Sequence, residues 1–218
     1  MTGGVHAADR PAAPVTIEAR ALRFGYGNRT LFLDWSYRFE PGLTWIRGRN
    51  GSGKSSLMGL LAGALEADAG DIAACGVDAR QDPEGYRRQL CWLGPHDMPL
   101  DFLSPAQLAG FYMTVFPNFE VAAFEEAVDG LSLRRQLHDR IGGLSTGTRR
   151  KAWLAAVLAS GTPVCLLDEP GNALDAASLD FLHRRLTGWA TSRERCILLV
   201  DHRNAWESLA TAVVDLGG

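Results

Sequence analysis

The chain has 218 residues with a net charge of −3, and 46% of its residues are apolar. This length and apolar fraction favour one large globular domain, or a core with an inserted lobe, that needs no disulfide bonds. The weakly acidic balance does not predict a long-range attraction to nucleic acid, although it leaves room for local basic patches, and no nucleic-acid partner is expected.

Hydropathy gives no sign of a membrane segment, because no stretch reaches the roughly 18 consecutive apolar residues that a spanning helix requires. Residues 1–14 lack a basic start followed by an apolar run, so they are predicted to be a flexible tail and not a signal peptide. The four cysteines form no C-x-x-C pair, and Cys165 and Cys196 lie inside apolar runs, which favours buried thiols in a reducing compartment. Any link to a membrane is therefore expected to come through a partner.

The predicted elements alternate between strands and helices along most of the chain. In chain order they are strands at residues 15–24, 31–39 and 43–47, a helix at about 54–64, a strand at 90–93, a helical stretch from 104 to about 137, a helix at 148–159, a strand at 164–167, a helix at 176–189, and strands at 196–200 and 211–216. The later strands are continuous apolar runs, which is typical of a parallel sheet covered on both faces. The prediction is an α/β fold in which a helical block at about 96–143 is inserted into the core.

A glycine-rich loop follows the strand at 43–47 and fits the pattern G-x-x-x-x-G-K-[ST]. Its residues are Gly48, Arg49, Asn50, Gly51, Ser52, Gly53, Lys54 and Ser55. The glycines allow successive backbone N–H groups to curl around phosphate oxygens, and the following helix adds its positive end. Lys54 can reach the β and γ phosphates, and the Ser55 hydroxyl can bind Mg²⁺. Ser56 is included among the cofactor-binding candidates.

Two acidic residues end the apolar strand at 164–167. Asp168 is predicted to point toward the coordination shell of the bound Mg²⁺, and Glu169 is placed to polarise an attacking water. An ordinary strand with a solvated acidic turn is the alternative, and the upstream phosphate loop weighs against it.

Three further positions are ambiguous when each is considered alone. The segment Leu144–Thr148 opens a helix, where Ser145 can act as a cap and Gly147 allows close approach of a phosphate. His202 follows a buried strand and should face the ligand crevice at its carboxyl end. Tyr26 lies in a turn, where it can stack on adenine or pack on its own hairpin.

Taken in order, these segments resemble the ABC (ATP-binding cassette) ATPase family over nearly the whole chain, from about residue 15 to 216. Residues 48–55 are similar to its Walker A motif, 144–148 to its signature, and 164–169 to its Walker B motif. Residues 172–175 are similar to the D-loop, and this similarity makes Asp175 a further cofactor-binding candidate. His202 is similar to the switch histidine, and Tyr26 to the aromatic residue of the A-loop.

The resemblance implies a P-loop NTPase (RecA-like) core with an N-terminal antiparallel β subdomain and an inserted helical subdomain, in one domain over residues 15–218. It implies ATP and Mg²⁺ as cofactors, and catalysis by Glu169, His202 and Lys54. It also implies a head-to-tail dimer with a second ATPase subunit, in which Ser145 and Gly147 close over the partner subunit's ATP. The implied location is cytoplasmic, on the inner face of the cell membrane, through a polytopic permease subunit.

The sequence departs from the family pattern at two sites. The signature has Thr146 and Thr148 where glycine and glutamine are commonest, although its serine and second glycine stand. The Q-loop glutamine expected after the strand at 90–93 is absent, and His96 is the nearest polar substitute for it as a metal-site residue. A neutral imidazole is a poorer Mg²⁺ ligand than an amide oxygen.

The preferred interpretation is the ATPase of a small type-two exporter, which couples dimer closure to substrate movement. A haem-exporter ATPase of cytochrome c maturation, suggested by the segment W-L-G-P-H, and a non-transport ATPase such as an iron–sulfur assembly partner are the alternatives. The helical block is predicted to hold the docking face for the membrane subunit. Its candidate residues are Phe102, Leu103, Leu108, Phe111, Tyr112 and Phe116, part of which must pack inside the lobe.

Overall fold

The computed structural model describes residues 14–94, 100–202 and 204–217. Within these residues the strands are β1 (Ile17–Tyr26), β2 (Arg29–Phe39), β3 (Gly42–Arg47), β4 (Ala69–Ala74), β5 (Val77–Asp78), β6 (Leu90–Leu93), β7 (Val164–Asp168), β8 (Cys196–Val200) and β9 (Ala212–Asp215). The α-helices are α1 (Lys54–Leu61), α2 (Pro83–Arg88), α3 (Pro105–Val115), α4 (Val121–Gly130), α5 (Thr146–Leu158) and α6 (Ala176–Ser192).

An antiparallel sheet in the order β2-β1-β4-β5 forms the first part of the fold. In β1 the buried residues Ile17 and Ala19 are followed by Leu22 and Phe24, so the alternation skips one position. The register with β2 shifts at this point, and Ala21 adopts a left-handed φ of 49°. This β-bulge keeps all four apolar side chains on the buried face of the sheet.

The second sheet is parallel, in the order β6-β7-β8-β3-β9. Every residue of β7 and β8 is buried, which fits their apolar sequences, and Asp168 at the end of β7 is the one charged residue in these two strands. Side chains of Cys165 and Leu167 join one hydrophobic core, whereas those of Val164 and Leu166 join another. Because successive residues of a strand point to opposite faces, the two cores lie on opposite sides of this sheet.

Helices α3 to α6 cover one face of the parallel sheet, and α1 with the antiparallel sheet covers the other. Helix α3 begins at a capping box, in which Ser104 accepts from the backbone N–H of Gln107 and the Gln107 side chain accepts from that of Ser104. Helices α3 and α4 lie between β6 and β7 in the chain and pack on α5. The α/β architecture with an antiparallel β part agrees with the fold class that the sequence predicts.

The sequence patterns do not predict β4, β5 or α2. Strand β4 reads Ala-Gly-Asp-Ile-Ala-Ala and has a single large apolar residue, so its strand character comes from pairing with β1. Helix α2 is only six residues long, begins at Pro83, and is capped by the Asp82 side chain. No helix within the described residues is long and apolar enough to cross a membrane.

Two helical glycines predict opposite effects of the same substitution. A Cβ at Gly130 would overlap the ring of Phe181, whereas a Cβ at Gly110 would meet nothing within 4 Å. Gly130→Ala should lower the free energy of unfolding by about 1–3 kcal/mol through overpacking. Gly110→Ala should raise it by up to about 1 kcal/mol through helix propensity. Urea denaturation followed by circular dichroism measures both, and equal effects would contradict this packing.

Candidate nucleotide-binding site

The glycine-rich loop connects β3 to α1 at the carboxyl edge of the parallel sheet. Gly48, Gly51 and Gly53 have φ values of 153°, 80° and 100°, which residues other than glycine rarely adopt. Gly53 is the N-cap of α1 and has no side chain, so the first N–H groups of this helix have no side-chain acceptor from the cap. The Ser52 hydroxyl is buried and has no hydrogen-bond partner among the described residues. A glycine-rich loop that leads into such a helix N-terminus is suited to bind phosphate.

The buried Lys54 side chain folds back over this loop. Its Nζ donates to the backbone oxygens of Gly48, at 2.9 Å, and Arg49, at 3.0 Å. The ammonium group therefore lies inside the curve of the loop, where a triphosphate would place its charge.

Asp168, the last residue of β7, is buried beside the start of α1 and accepts a hydrogen bond from Ser55. Its Oδ2 has no hydrogen-bond partner among the described residues. Burial raises the pKa of Asp168, and the Glu169 charge adds to this, while the Ser55 hydrogen bond and the Arg150 and Lys54 charges oppose it. A buried carboxylate oxygen and a hydroxyl in contact form the kind of oxygen-donor pair that Mg²⁺ binds beside phosphates.

Glu169 lies directly after β7 and contacts two polar side chains. Its Oε1 is 3.2 Å from His202 Nε2, and its Oε2 accepts from Asn172 Nδ2 at 2.8 Å. Strands β7 and β8 are neighbours, so the residues that follow them meet at the sheet edge. Glu169 itself has a left-handed φ of 49°, and its N–H donates to the Val200 oxygen at 2.7 Å. A carboxylate held beside an imidazole can accept and pass on a proton.

These residues surround one open cavity of about 350 Å³. Its lining comprises Tyr26, Arg29, Leu31, Asn50, Gly51, Gly53, Lys54, Ser55, Ser56, Glu169, Val200 and His202. The Tyr26 ring is 55% exposed at the rim, and its hydroxyl is 3.4 Å from the Ser56 hydroxyl. The cavity therefore joins an aromatic face, a phosphate loop and a carboxylate–imidazole pair.

Three residues near this site were not among the site residues predicted from the sequence. Arg29 lines the cavity and donates to the Gly51 oxygen at 2.7 Å. Asn172 binds the carboxylate of Glu169, and Arg150 donates to the backbone at the end of β7. Arg29 and Arg150 carry no motif signal of their own, although Arg29 follows Tyr26 by three residues in the same hairpin, whereas Asn172 is the first residue of the D-loop-like segment 172–175.

The signature segment and the D-loop pack against each other outside the cavity. Ser145 caps α5 by accepting from the Thr148 N–H at 3.2 Å, and the two hydroxyls lie 2.8 Å apart. A Cβ at Gly147 would lie 2.6 Å from the Ala173 oxygen, so glycine allows this close approach. Asp175 caps α6 and forms an ion pair with Lys151. Ser145, Gly147 and Asp175 do not line the cavity of their own chain.

The predicted docking residues divide into two groups. Phe102 and Phe111 are 62% and 41% exposed, whereas Leu103 and Phe116 are partly buried against the core. Leu108 and Tyr112 are buried at 0% and 4%, so these two belong to the core and cannot contribute to an exposed docking face. His96, the Q-loop substitute, lies outside the described residues.

The strand–loop–helix at the carboxyl edge of a parallel sheet defines a P-loop NTPase core. The sequence model of the ABC transporter family matches residues 34–172, and the chain belongs to this family. It is an ATP-binding subunit of an ABC transporter and an ATPase, and such subunits dimerise and work with membrane components. This membership confirms the recognition made from the sequence motifs.

Curated relatives and solved structures extend this similarity over most of the chain. A protein of Wolbachia pipientis wMel named cytochrome c biogenesis ATP-binding export protein CcmA is 31% identical over 88% of this chain and 92% of its own length. A protein of the same name from Paramagnetospirillum magneticum is 36% identical over 77% of this chain and 79% of its own length. An ATP-binding subunit of an ABC transporter superposes with a TM-score of 0.79 at 22% identity, covering 91% of this chain and 85% of that one. An ATP-bound bacterial Atm1-family exporter superposes with a TM-score of 0.78 at 19% identity, covering 97% of this chain and 40% of that one.

Asp175 predicts a measurable link between pH and stability. The Lys151 hydrogen bond, helped by the Ser178 N–H, lowers the pKa of Asp175 to about 2. A lowered carboxyl pKa stabilises the folded state above the unfolded pKa near 4, and this contribution disappears as the pH falls toward about 2. Asp175→Asn keeps a capping oxygen and should cost less than about 1 kcal/mol, because the pair is on the surface. Asp175→Ala also loses the cap and should cost about 1 kcal/mol more.

Denaturation with urea at several pH values tests this. The difference between wild type and Asp175→Asn should shrink in acid, whereas the additional cost of Asp175→Ala over Asp175→Asn should remain. A difference that is constant with pH would show that the Lys151 contact does not stabilise the fold.

Proposed function

We propose that the chain is the ATPase subunit of an exporter that serves cytochrome c biogenesis, of the haem-exporter type. The observation that supports this is the similarity to proteins named CcmA, which extends over 88% of this chain and 92% of the Wolbachia relative. Similarity over that much of both chains extends beyond the nucleotide motifs that all ATPases of this family share. This favours the cytochrome c alternative over the type-two exporter.

In this proposal the cavity binds Mg-ATP. The adenine stacks on the exposed Tyr26 face, and the phosphates occupy the loop Gly48–Ser55 with Ser56. Ser55 and Asp168 would hold Mg²⁺, because a hydroxyl lies beside a buried carboxylate oxygen that has no hydrogen-bond partner among the described residues. The ion would neutralise charge on the phosphates as the terminal bond breaks.

Hydrolysis depends on three residues of this chain. Glu169 accepts the proton of the attacking water, and His202, 3.2 Å away, keeps that carboxylate aligned and contacts the γ-phosphate side. Lys54 offsets the charge on the β and γ phosphates.

The second ATP-binding subunit completes the site. Ser145 and Gly147 at the start of α5 present a hydroxyl and a close backbone to the partner subunit's nucleotide, and Asp175 lies beside them. ATP thus favours the closed dimer, and hydrolysis allows it to open.

The proposed membrane contact is the docking face, defined as the exposed side chains of Phe102 and Phe111 between β6 and α5. A short helix of a polytopic permease subunit can lay an apolar side onto these rings. The chain is accordingly proposed to be bound to the cytoplasmic face of the membrane through that subunit.

Two substitutions test the catalytic assignment. Lys54→Ala should abolish ATP hydrolysis and weaken ATP binding, because the positive charge at the phosphates is lost. Glu169→Gln should bind ATP normally but hydrolyse it at least about a hundredfold more slowly, because an amide cannot accept the proton. Phosphate release and fluorescent-nucleotide titration measure the two effects. Normal turnover in Glu169→Gln would refute the role of Glu169, and its failure to dimerise in saturating Mg-ATP would refute dimer closure.

Deletion of the gene in its own organism tests the export function. Haem staining should show loss of c-type cytochromes, and the wild-type gene should restore them, whereas Glu169→Gln should not. Phe102→Glu should also fail to restore them, although the isolated variant keeps its fold and basal ATPase activity. Leu33→Glu, at a 65% exposed site on β2, is the matched control and should restore them. Normal c-type cytochromes in the deletion strain would contradict the proposal.

A further inference from the structure

Arg150 is a buried cation whose guanidinium binds three backbone oxygens at the active edge of the sheet. It lies on α5 and is 8% exposed. Its Nη1 donates to the Gly94 oxygen at 2.7 Å, and its Nη2 donates to the oxygens of Asp168 and, at 3.2 Å, Glu169. A planar fork can reach acceptors on two strands at once, which a single ammonium group cannot.

These oxygens lie where β6 and β7 end side by side, with Leu93 paired to Leu167. Beyond this pair the strands no longer satisfy each other's backbone groups, and buried oxygens without partners would be costly. Arg150 supplies their donors and joins the two strand ends to the helix that begins at the signature segment.

The backbone that Arg150 binds includes a strained residue. Glu169 has a φ of 49°, a region that a residue with a side chain avoids unless its surroundings hold it there. Its N–H is bound by the Val200 oxygen and its carbonyl by Arg150, so the peptide groups on both sides are held. In this conformation the carboxylate faces His202 and the cavity.

We propose that Arg150 is a positioning residue for hydrolysis, which holds the left-handed backbone of Glu169 and thereby aims its carboxylate at the attacking water. The inference rests on the proposed role of Glu169 as the proton acceptor. Arg150 lies in α5, and Ser145 is the N-cap of the same helix. The position of Glu169 is therefore also linked to the position of the signature segment.

Arg150→Gln and Arg150→Lys test this in the full chain. Without Arg150, Glu169 can leave its left-handed conformation, which should lower the population of that conformation by roughly tenfold to a hundredfold. In Arg150→Gln, kcat should therefore fall by about the same factor. Arg150→Lys should lose less, because it keeps the charge and one carbonyl contact. KM and the affinity for fluorescent ATP should change by less than about twofold, because the phosphate loop is untouched.

A matched control lies at the other end of β7. Arg195 also donates to a backbone oxygen, that of Thr162 at 3.4 Å, and is ion-paired with Glu120. Arg195→Gln should leave kcat unchanged while showing a comparable change in melting temperature.

The double variant Arg150→Gln/Glu169→Gln separates positioning from a general structural effect. If Arg150 acts through Glu169, the double variant should hydrolyse ATP no more slowly than Glu169→Gln alone. Additive losses, wild-type kcat in Arg150→Gln, or unfolding of both Arg150 variants in thermal melts would overturn the proposal. Normal turnover in Glu169→Gln would instead overturn the proposed function on which it rests.

Discussion

The carboxyl edge of the parallel sheet is the constraint on which the site depends. Strands β3, β7 and β8 run in one direction because the segments that connect them cross back over the sheet, and those segments bury both of its faces. Their carboxyl ends therefore meet at one edge, where the phosphate loop follows β3, Glu169 follows β7, and His202 comes shortly after β8. The 3.2 Å contact between Glu169 and His202 is a direct result of the pairing of Asp168 with Val200.

Charged side chains are buried at this edge of the sheet. Lys54 and Arg150 are nearly buried, and both donate to backbone oxygens. Asp168 is buried with one oxygen unpaired among the described residues, and burial raises its pKa. Burying charged groups costs free energy, and a bound cation and triphosphate would offset that cost. The geometry thus favours ligand binding at the expense of stability.

The signature segment and the D-loop behave as one packed unit. Gly147 lies against the backbone of Ala173, and Lys151 pairs with Asp175. Helix α5 carries Ser145 at its start and Arg150 one to two turns later, so the same helix contacts the D-loop and the end of β7. A displacement of the helical lobe would therefore act on the surroundings of Glu169 through rigid contacts.

The sequence by itself determined the local chemistry of this protein. The loop Gly48–Ser55, the acidic pair Asp168–Glu169 and the apolar strands are each specified by neighbouring residues, because phosphate loops and buried strands impose local patterns. Tertiary structure decided the rest. Arg150 meets Gly94 across 56 residues of chain, and Arg29 meets Gly51 across 22, and no local pattern reports such pairs. The adjacent aromatics Phe111 and Tyr112 differ in exposure for the same reason, since only the packing of α3 on the core decides which side chain points inward.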